Sequence, residues 1–135
     1  MKFSYSQLPG ITSKVVLVPL VPLTFRYKNH DFATFALVDS GAVGAVISTV
    51  IADELGIKWR EVPAMIGYTL SGEFRAHLVE NIRVEIGDAE FLLSLNIVEG
   101  ISPFRCVLGQ RDLFKKAKVI FEGYKNQFEI IFKHN

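Results

Sequence analysis

The first strands of the chain can be predicted from short runs in which apolar and polar positions alternate. Val15–Leu23 is an apolar run with two prolines. Because proline cannot donate to a strand ladder, this run is predicted to be an edge strand or two short strands with a bend. Alternation continues to Tyr27, and after a polar turn the apolar segment Phe32–Val38 follows. These segments predict a β-hairpin that ends at Asp39.

Two more hairpins are predicted in the middle of the chain. The strand-like arms Ala64–Tyr68 and Phe74–Leu78 flank a small polar tip, Thr69–Glu73, which we expect to be mobile. Val79–Gly87 and Glu90–Val98 are predicted to form the next hairpin. The second of these strands is almost entirely apolar, so we expect it to be buried on both faces.

Two short helices and the last strands complete the predicted elements. A short strand, Val43–Ser48, precedes a helix over Val50–Leu55 that a serine or threonine can cap. Asp112–Lys116 is predicted as a second helix because its basic residues lie at the C-terminal end, where they suit the helix dipole. Val119–Phe121 and Gln127–Phe132 are the final strands.

These elements together predict an all-β fold, mainly β with two short helices. We expect one domain over residues 1–135, with residues 1–14 as a flexible N-terminal arm. A hairpin, an apolar strand, a glycine and a short helix follow one another through Val38–Gly41 and again through Val107–Gly109. Only the first of these two copies carries a carboxylate.

The composition limits the classes of partner. Fifteen basic and fourteen acidic residues give a net charge of +1, without a block of like charge, so we expect no nucleic-acid partner. The N-terminus lacks the apolar core of a signal peptide, and the most apolar run is too short to span a bilayer. We therefore expect a cytoplasmic protein with no membrane partner.

Cysteine and histidine usage argues against a metal site, and we expect no cofactor. The single cysteine, Cys106, cannot form an internal disulfide, which fits a reducing compartment, and we predict that it is a small buried hydrophobe. His30, His77 and His134 show no recognisable spacing relative to it or to one another. Zinc sites need several such ligands at short spacings, so we expect no metal ligands.

The strongest candidate for chemistry lies at the end of the first hairpin. Its apolar strand is followed directly by a carboxylate, a hydroxyl and a glycine, namely Asp39, Ser40 and Gly41. Burying a carboxylate at the end of a strand costs free energy unless the group is hydrogen-bonded, so such a residue often has a functional role. An Asp-Ser-Gly triplet is also a common β-turn, so Asp39 could serve only to satisfy a turn.

The chain resembles the retropepsin-like aspartic proteases, the single-domain relatives of pepsin that work as homodimers. Ala36–Ala42 is similar to their apolar-apolar-Asp-Thr/Ser-Gly-Ala signature, and Val107, Leu108 and Gly109 match their later apolar-apolar-Gly element. The hairpin through Leu70–Gly72 lies where the family has its flap. The resemblance covers most of the chain from residue 15 to residue 132. It implies a retropepsin-like acid protease β-barrel with one lobe per chain.

The resemblance also implies a function and a site. Two copies of Asp39 would face each other at a homodimer axis, share one proton and activate a water that hydrolyses a peptide bond. Ser40 would brace the loop across the dimer, Gly41 would bring a backbone N–H close to the carboxylates, and Ala42 would line the substrate channel. The expected flap residues, which would close over the peptide, are Tyr68, Thr69, Leu70, Ser71 and Gly72.

One departure and one alternative accompany this interpretation. Family members often follow the alanine with an acidic residue that pairs with an arginine just after the later glycine. Here Val43 and Gly44 follow, so Arg111 has no obvious partner of that kind. Because a fold alone does not fix function, a catalytically silent retropepsin-like dimer that binds peptides is the alternative.

Overall fold

The structure, a computed structural model, describes residues 1–8, 16–69, 72–100 and 106–133. Strands dominate these ranges, as predicted. They are β1 (Lys2–Ser4), β2 (Ser6–Gln7), β3 (Leu17–Val18), β4 (Leu20–Tyr27), β5 (His30–Val38), β6 (Ala45–Ser48), β7 (Met65–Thr69), β8 (Gly72–Ile86), β9 (Ala89–Val98), β10 (Cys106–Leu108), β11 (Ala117–Glu122) and β12 (Gln127–Phe132). The helix α1 (Thr49–Glu54) and the helical turns Trp59–Glu61, Gln110–Phe114 and Gly123–Lys125 connect them.

The strands form one large sheet and two small ones. The large sheet has the order β4-β5-β10-β6-β9-β8-β7, and β4 also pairs with β8. These pairings curl the sheet back on itself without establishing a closed barrel. A three-stranded sheet has the order β1-β12-β11, and β2 pairs with β3. No helix among the described residues is long and apolar enough to cross a membrane.

Local sequence signals placed several elements correctly. The strands β4 and β5 form the predicted hairpin, with Lys28 at a φ of 52° in its turn. The helix α1 begins after Ser48, whose Oγ accepts a hydrogen bond from the backbone N–H of Ile51 at 3.4 Å. It is followed by Gly56 at a φ of 70°, a conformation that glycine adopts without strain. The proline-rich segment forms two strands that are separated at Pro19.

The N-terminal arm differs from the expectation of flexibility. Lys2–Ser4 pairs in antiparallel fashion with Gln127–Glu129 of the last strand, and Ser6 pairs with Val18. Two of the arm's segments are therefore parts of sheets, while residues 9–15 lie outside the described residues. The predicted loop at Ser102 and Pro103 also lies outside them.

The prediction of two separate strands in residues 74–87 is wrong. Gly72–Ile86 is one long strand that pairs with β7 at one end and with β9 over the rest. The register shifts between Val79 and Ile82, and Asn81 has a φ of 61°. A bulge of this kind bends a strand without ending it, so one strand serves both hairpins.

The prediction that β9 is buried on both faces is also wrong. Leu93, Leu95 and Ile97 are buried, but the alternating residues are not, and Leu92 is 52% exposed. The core lies on one side of this strand only. On that side it belongs to a cluster of fully buried side chains from other strands, from α1 and from the residue directly after α1, namely Phe25, Ile47, Ile51, Leu55, Ile82 and Leu108.

Candidate active site

Two strands that are distant in the sequence bring the candidate site together. The strand β10 lies beside β5 in parallel, with Val107 opposite Leu37 and Leu108 opposite Val38. The backbone N–H of Asp39 continues this ladder and donates to the carbonyl of Leu108 at 3.0 Å. Asp39 therefore stands where the parallel strands β5 and β10 both end.

The loop after β5 orients the carboxylate of Asp39. The backbone N–H of Gly41 donates to Asp39 Oδ1 at 2.9 Å, and that of Ala42 donates to the carbonyl oxygen of Asp39 at 3.1 Å. Asp39 is half-buried, whereas Ser40 and Gly41 are exposed. The turn thus satisfies one carboxylate oxygen and leaves the site accessible from solvent.

The later apolar-Gly element holds this loop from the other side. The N–H groups of Gln110 and Arg111 donate to the carbonyls of Ala42 and Val43, each at 2.9 Å. A Cβ at Gly109 would lie 2.5 Å from the carbonyl oxygen of Ala42. Glycine is therefore required here for close approach of the two backbones. The two apolar-Gly segments of the sequence thus meet in space.

Gln110 makes a contact to the loop that the sequence did not reveal. Its Nε2 donates to the carbonyl of Ser40 at 2.7 Å. It directly follows Gly109 in the sequence. Arg111, for which the sequence offered no acidic partner, contacts this loop through its backbone N–H, which donates to the carbonyl of Val43. Backbone and amide contacts therefore connect the two loops at this position.

Asp112 is a second residue that sequence reasoning missed. It is 4% exposed, and its Oδ1 accepts from the N–H of Gly109 at 2.8 Å. Its Oδ2 is buried without a hydrogen-bond partner among the described residues. Burial raises the pKa of this carboxyl above its usual range. The spacing of three residues from Gly109 to Asp112 is the signal that could have indicated such a helix-start contact.

The predicted flap is the hairpin formed by β7 and Gly72–Ala76 of β8. Thr69 pairs with Gly72 at its outer end, while Leu70 and Ser71 lie outside the described residues. Tyr68 is 76% exposed, and Met65 and Ile66 are also largely exposed. The hairpin thus presents apolar side chains to solvent next to a strand edge.

The other candidate chemistry of the sequence does not converge on this site. Cys106 is 2% exposed, as predicted, and burial raises the pKa of its thiol, which makes it a poor nucleophile. Within the ranges that the structure describes, no three histidine, cysteine or acidic side chains are grouped closely enough to hold a metal ion.

Comparisons with known proteins agree with this geometry. The family described as "gag-polyprotein putative aspartyl protease" matches residues 27–115, a range that includes both apolar-Gly segments and the flap. A search of curated protein sequences finds no match.

Two solved structures show the same fold. A retropepsin-like aspartic protease from Rickettsia conorii is 18% identical, with a TM-score of 0.66, and the alignment covers 97% of this chain and 98% of the other. The EIAV protease complexed with the inhibitor HBY-793 is 14% identical, with a TM-score of 0.59, over 78% of this chain and 93% of the other.

Proposed function

Since the chain belongs to the retropepsin-like family of gag-polyprotein aspartyl proteases, we propose that it is an aspartic endopeptidase that uses Asp39. The observation that supports this most is the position of the carboxylate. Asp39 follows a central strand, its backbone is held by Leu108, and its Oδ1 is oriented by Gly41. The other carboxylate oxygen, Oδ2, would be the one that meets a reacting group.

The proposed chemistry needs two carboxylates, and each chain supplies one. Two copies of Asp39 brought together at a two-fold axis would share a proton, because like charges that close do not both ionise easily. The ionised copy would accept a proton from a water as it attacks the peptide carbonyl carbon. The protonated copy would donate its proton to the carbonyl oxygen, which gives a tetrahedral intermediate. When this intermediate collapses, the C–N bond breaks, the departing amine takes the proton that the first copy received from water, and the second copy recovers its own proton from a hydroxyl of the intermediate. This route requires neither a metal nor a cofactor.

A homodimer is therefore part of the proposal, and the sheet restricts how it could form. Both edges of β12 are occupied within one chain, by β1 and by β11. A second copy could not pair directly with β12, but the outer edges of those strands and the surface around the Asp39 loop could meet it. Ser40 is exposed there, and Val43 is 70% exposed, so both are available for contact with a second copy.

The proposed substrate is an extended peptide that the flap would cover. Extended peptides bind well as an added strand beside an exposed edge, with alternate side chains in apolar pockets. We propose that Tyr68 and the tip residues Thr69, Leu70, Ser71 and Gly72 close over the peptide, and that Ala42 lines the channel below it. The exposed apolar side chains of β7 support this role.

The same proposal covers the remaining properties of the chain. Residues 1–135 would act as one domain with the peptide as the only other partner, and without nucleic acid or membrane. A cytoplasmic location fits the single, buried cysteine, which needs no oxidising compartment.

The decisive experiment compares the parent with Asp39→Asn on a peptide library, with products identified by mass spectrometry. The variant keeps an oxygen that can accept from Gly41, so the loop should stay folded. Asp88→Asn, in the exposed turn between β8 and β9, is the matched control.

We expect cleavage by the parent and the control but not by Asp39→Asn, and a dimer in sedimentation analysis. Equal cleavage by all three proteins would remove Asp39 from the mechanism. Peptide binding without cleavage in any of them would indicate the silent binding module instead.

A further inference from the structure

The base of the flap contains a buried histidine with two hydrogen-bond acceptors. We propose that His77 and Glu99 share one proton and that this proton fixes the flap to the sheet, so that His77 is a positioning residue for peptide cleavage. This inference rests on the proposed function, because it assigns the flap a role at the Asp39 site.

His77 lies where the flap joins the main sheet. Ala76, the residue before it, pairs with Met65 of β7 on one side and with Val98 of β9 on the other. From His77 onwards β8 pairs with β9 and no longer with β7. A side chain at this position can therefore connect the flap to the rest of the sheet.

The ring of His77 contacts three residues, two from the connector before the flap and one at the end of β9. Its Nδ1 lies 2.7 Å from the carbonyl oxygen of Val62, which precedes the first arm of the flap, and its Nε2 lies 2.7 Å from Oε2 of Glu99, at the end of β9. Trp59 packs edge-on against the ring, with the ring centroids 5.0 Å apart. His77 itself is only 4% exposed. Both arms of the flap are thus held through one imidazole.

These partners determine how many protons the pair holds. A carbonyl oxygen can only accept, so Nδ1 must carry a hydrogen. At Nε2 either the ring donates to an ionised Glu99 or a protonated Glu99 donates to the ring. Both arrangements contain one proton more than a neutral ring beside a carboxylate. Without that proton, the Nε2 lone pair would face a carboxylate oxygen at hydrogen-bond distance, which is repulsive.

The charged groups around the pair favour placing the proton on the ring. Arg75 Nε lies 3.3 Å from Glu99 Oε2, and hydrogen bonds from His77 and Arg75 lower the pKa of Glu99 below its usual range. On the other side, the guanidinium of Arg60 covers the Trp59 ring at 4.2 Å, and Asp53 accepts from Trp59 Nε1 at 2.9 Å. Glu99 is thus the acidic group that contacts the imidazole.

Loss of the shared proton should loosen the flap rather than unfold the protein. The contact of His77 to Glu99 would break, and the connector at Val62 or the end of β9 would have to move. A charge-assisted hydrogen bond contributes enough for its loss to change a local opening equilibrium by about tenfold. The flap would then open more often, and peptide binding would weaken.

Amide hydrogen exchange of the flap tests this directly and needs no substrate. Glu99→Gln is the informative variant, because its side-chain amide can donate to Nε2 of a neutral His77 while Nδ1 still donates to Val62. That arrangement needs no shared proton. Arg75→Gln controls for the ion pair that Glu99→Gln also loses, and His30→Gln, at an exposed histidine, controls for removal of a histidine.

After correction for the intrinsic effect of pH on exchange, we expect flap protection in the parent, Arg75→Gln and His30→Gln to be about tenfold lower at basic pH than at acidic pH. Glu99→Gln should keep its protection over the same range. His77→Phe should show low protection at every pH. Parallel loss of protection in the parent and in Glu99→Gln would overturn the proposal, as would NMR signals showing only one ring proton on His77 and no proton on Glu99 at every pH.

Kinetics on a cleaved library peptide separate this inference from the proposed function. We expect KM of the parent to rise with pH about tenfold more than KM of Glu99→Gln, with kcat changed less. The same KM profile in both proteins would overturn the positioning role even if Asp39 is catalytic. If Asp39→Asn cleaves as well as the parent, the proposed function fails, while the exchange data still decide whether the proton holds the flap.

Discussion

Gly109 is the residue at which the two loops of the candidate site approach most closely, and replacing it should separate them. The Cβ of Gly109→Ala would lie 2.5 Å from the carbonyl oxygen and 2.9 Å from the carbonyl carbon of Ala42. Both atoms belong to the backbone, so no side-chain rotation can relieve the overlap. The backbone of one loop must move.

The expected loss of stability follows from the contacts that such a movement disturbs. Overpacking by one methyl group costs about 1–3 kcal/mol. The bonds from Gln110 and Arg111 to Ala42 and Val43 lie beside the overlap and each contribute about 1 kcal/mol. If the loops separate enough to weaken them, we expect Gly109→Ala to lower the free energy of unfolding by about 2–4 kcal/mol.

Gly44→Ala is the matched control from the same loop. The nearest atom to its new Cβ would be Asn96 Nδ2 at 3.6 Å, an ordinary van der Waals distance, and Gly44 has no positive φ. Because alanine also restricts the unfolded chain, Gly44→Ala should stay within about 1 kcal/mol of the parent.

Urea unfolding followed by the fluorescence of Trp59, which is 6% exposed, measures both effects. The midpoint should fall for Gly109→Ala with little change in the slope of the free energy against denaturant. If Gly109→Ala and Gly44→Ala are equally stable, the two loops do not approach as closely as described, and the reasoning that joins the two apolar-Gly segments fails.

Three further predictions test the core and its titrating groups. Leu108→Ala should lower the free energy of unfolding by about 2–5 kcal/mol because it leaves a cavity, whereas Leu92→Ala, at a half-exposed position, should change it by about 0.5 kcal/mol or less; urea titrations compare the two. Cys106 should react with a thiol reagent only in denaturant, since burial raises its pKa and blocks access; fast labelling of the native protein would contradict this. The folded state raises the pKa of Asp112 above its ordinary value of 3.8, so the stability this group contributes is full below that value and falls as pH rises through the raised pKa. In thermal unfolding, the stability of Asp112→Asn relative to the parent should therefore increase as pH rises. If the stabilities of the two proteins change in parallel with pH, the burial effect is refuted.

The elements that the sequence predicted best are those whose signals are local. The strand β5 ends at Val38 as expected, because the apolar run stops at a polar triplet. The helix α1 follows from a capping serine and a glycine stop, and β12 was placed at Gln127–Phe132 without error. In each case a few adjacent residues decide the conformation, so no knowledge of distant packing is needed.

The errors in the predicted elements arose where contacts between distant segments determine the conformation or the burial. Whether the outer face of β9 is covered depends on what packs there, and the apolar side chain of Leu92 does not reveal this. Likewise, the prediction ended one strand at Leu78 and began another at Val79, but pairing with β9 continues on both sides of the bulge. The carboxylate of Asp112 contacts Gly109 only because a helical turn begins there, a turn that the sequence placed two residues later.

The structure changes the argument with which the sequence introduced Asp39. The desolvation cost of a fully buried carboxylate would have to be offset by hydrogen bonds or by a catalytic role. In one chain, however, Asp39 is only half-buried, and Gly41 already donates a hydrogen bond to one of its oxygens. The single chain therefore bears little desolvation cost for this residue. Under the proposed function that cost arises only when a second copy covers the loop and brings a like charge to it. The energetic reason for two carboxylates to share a proton thus belongs to association, and folding of the chain alone does not require it.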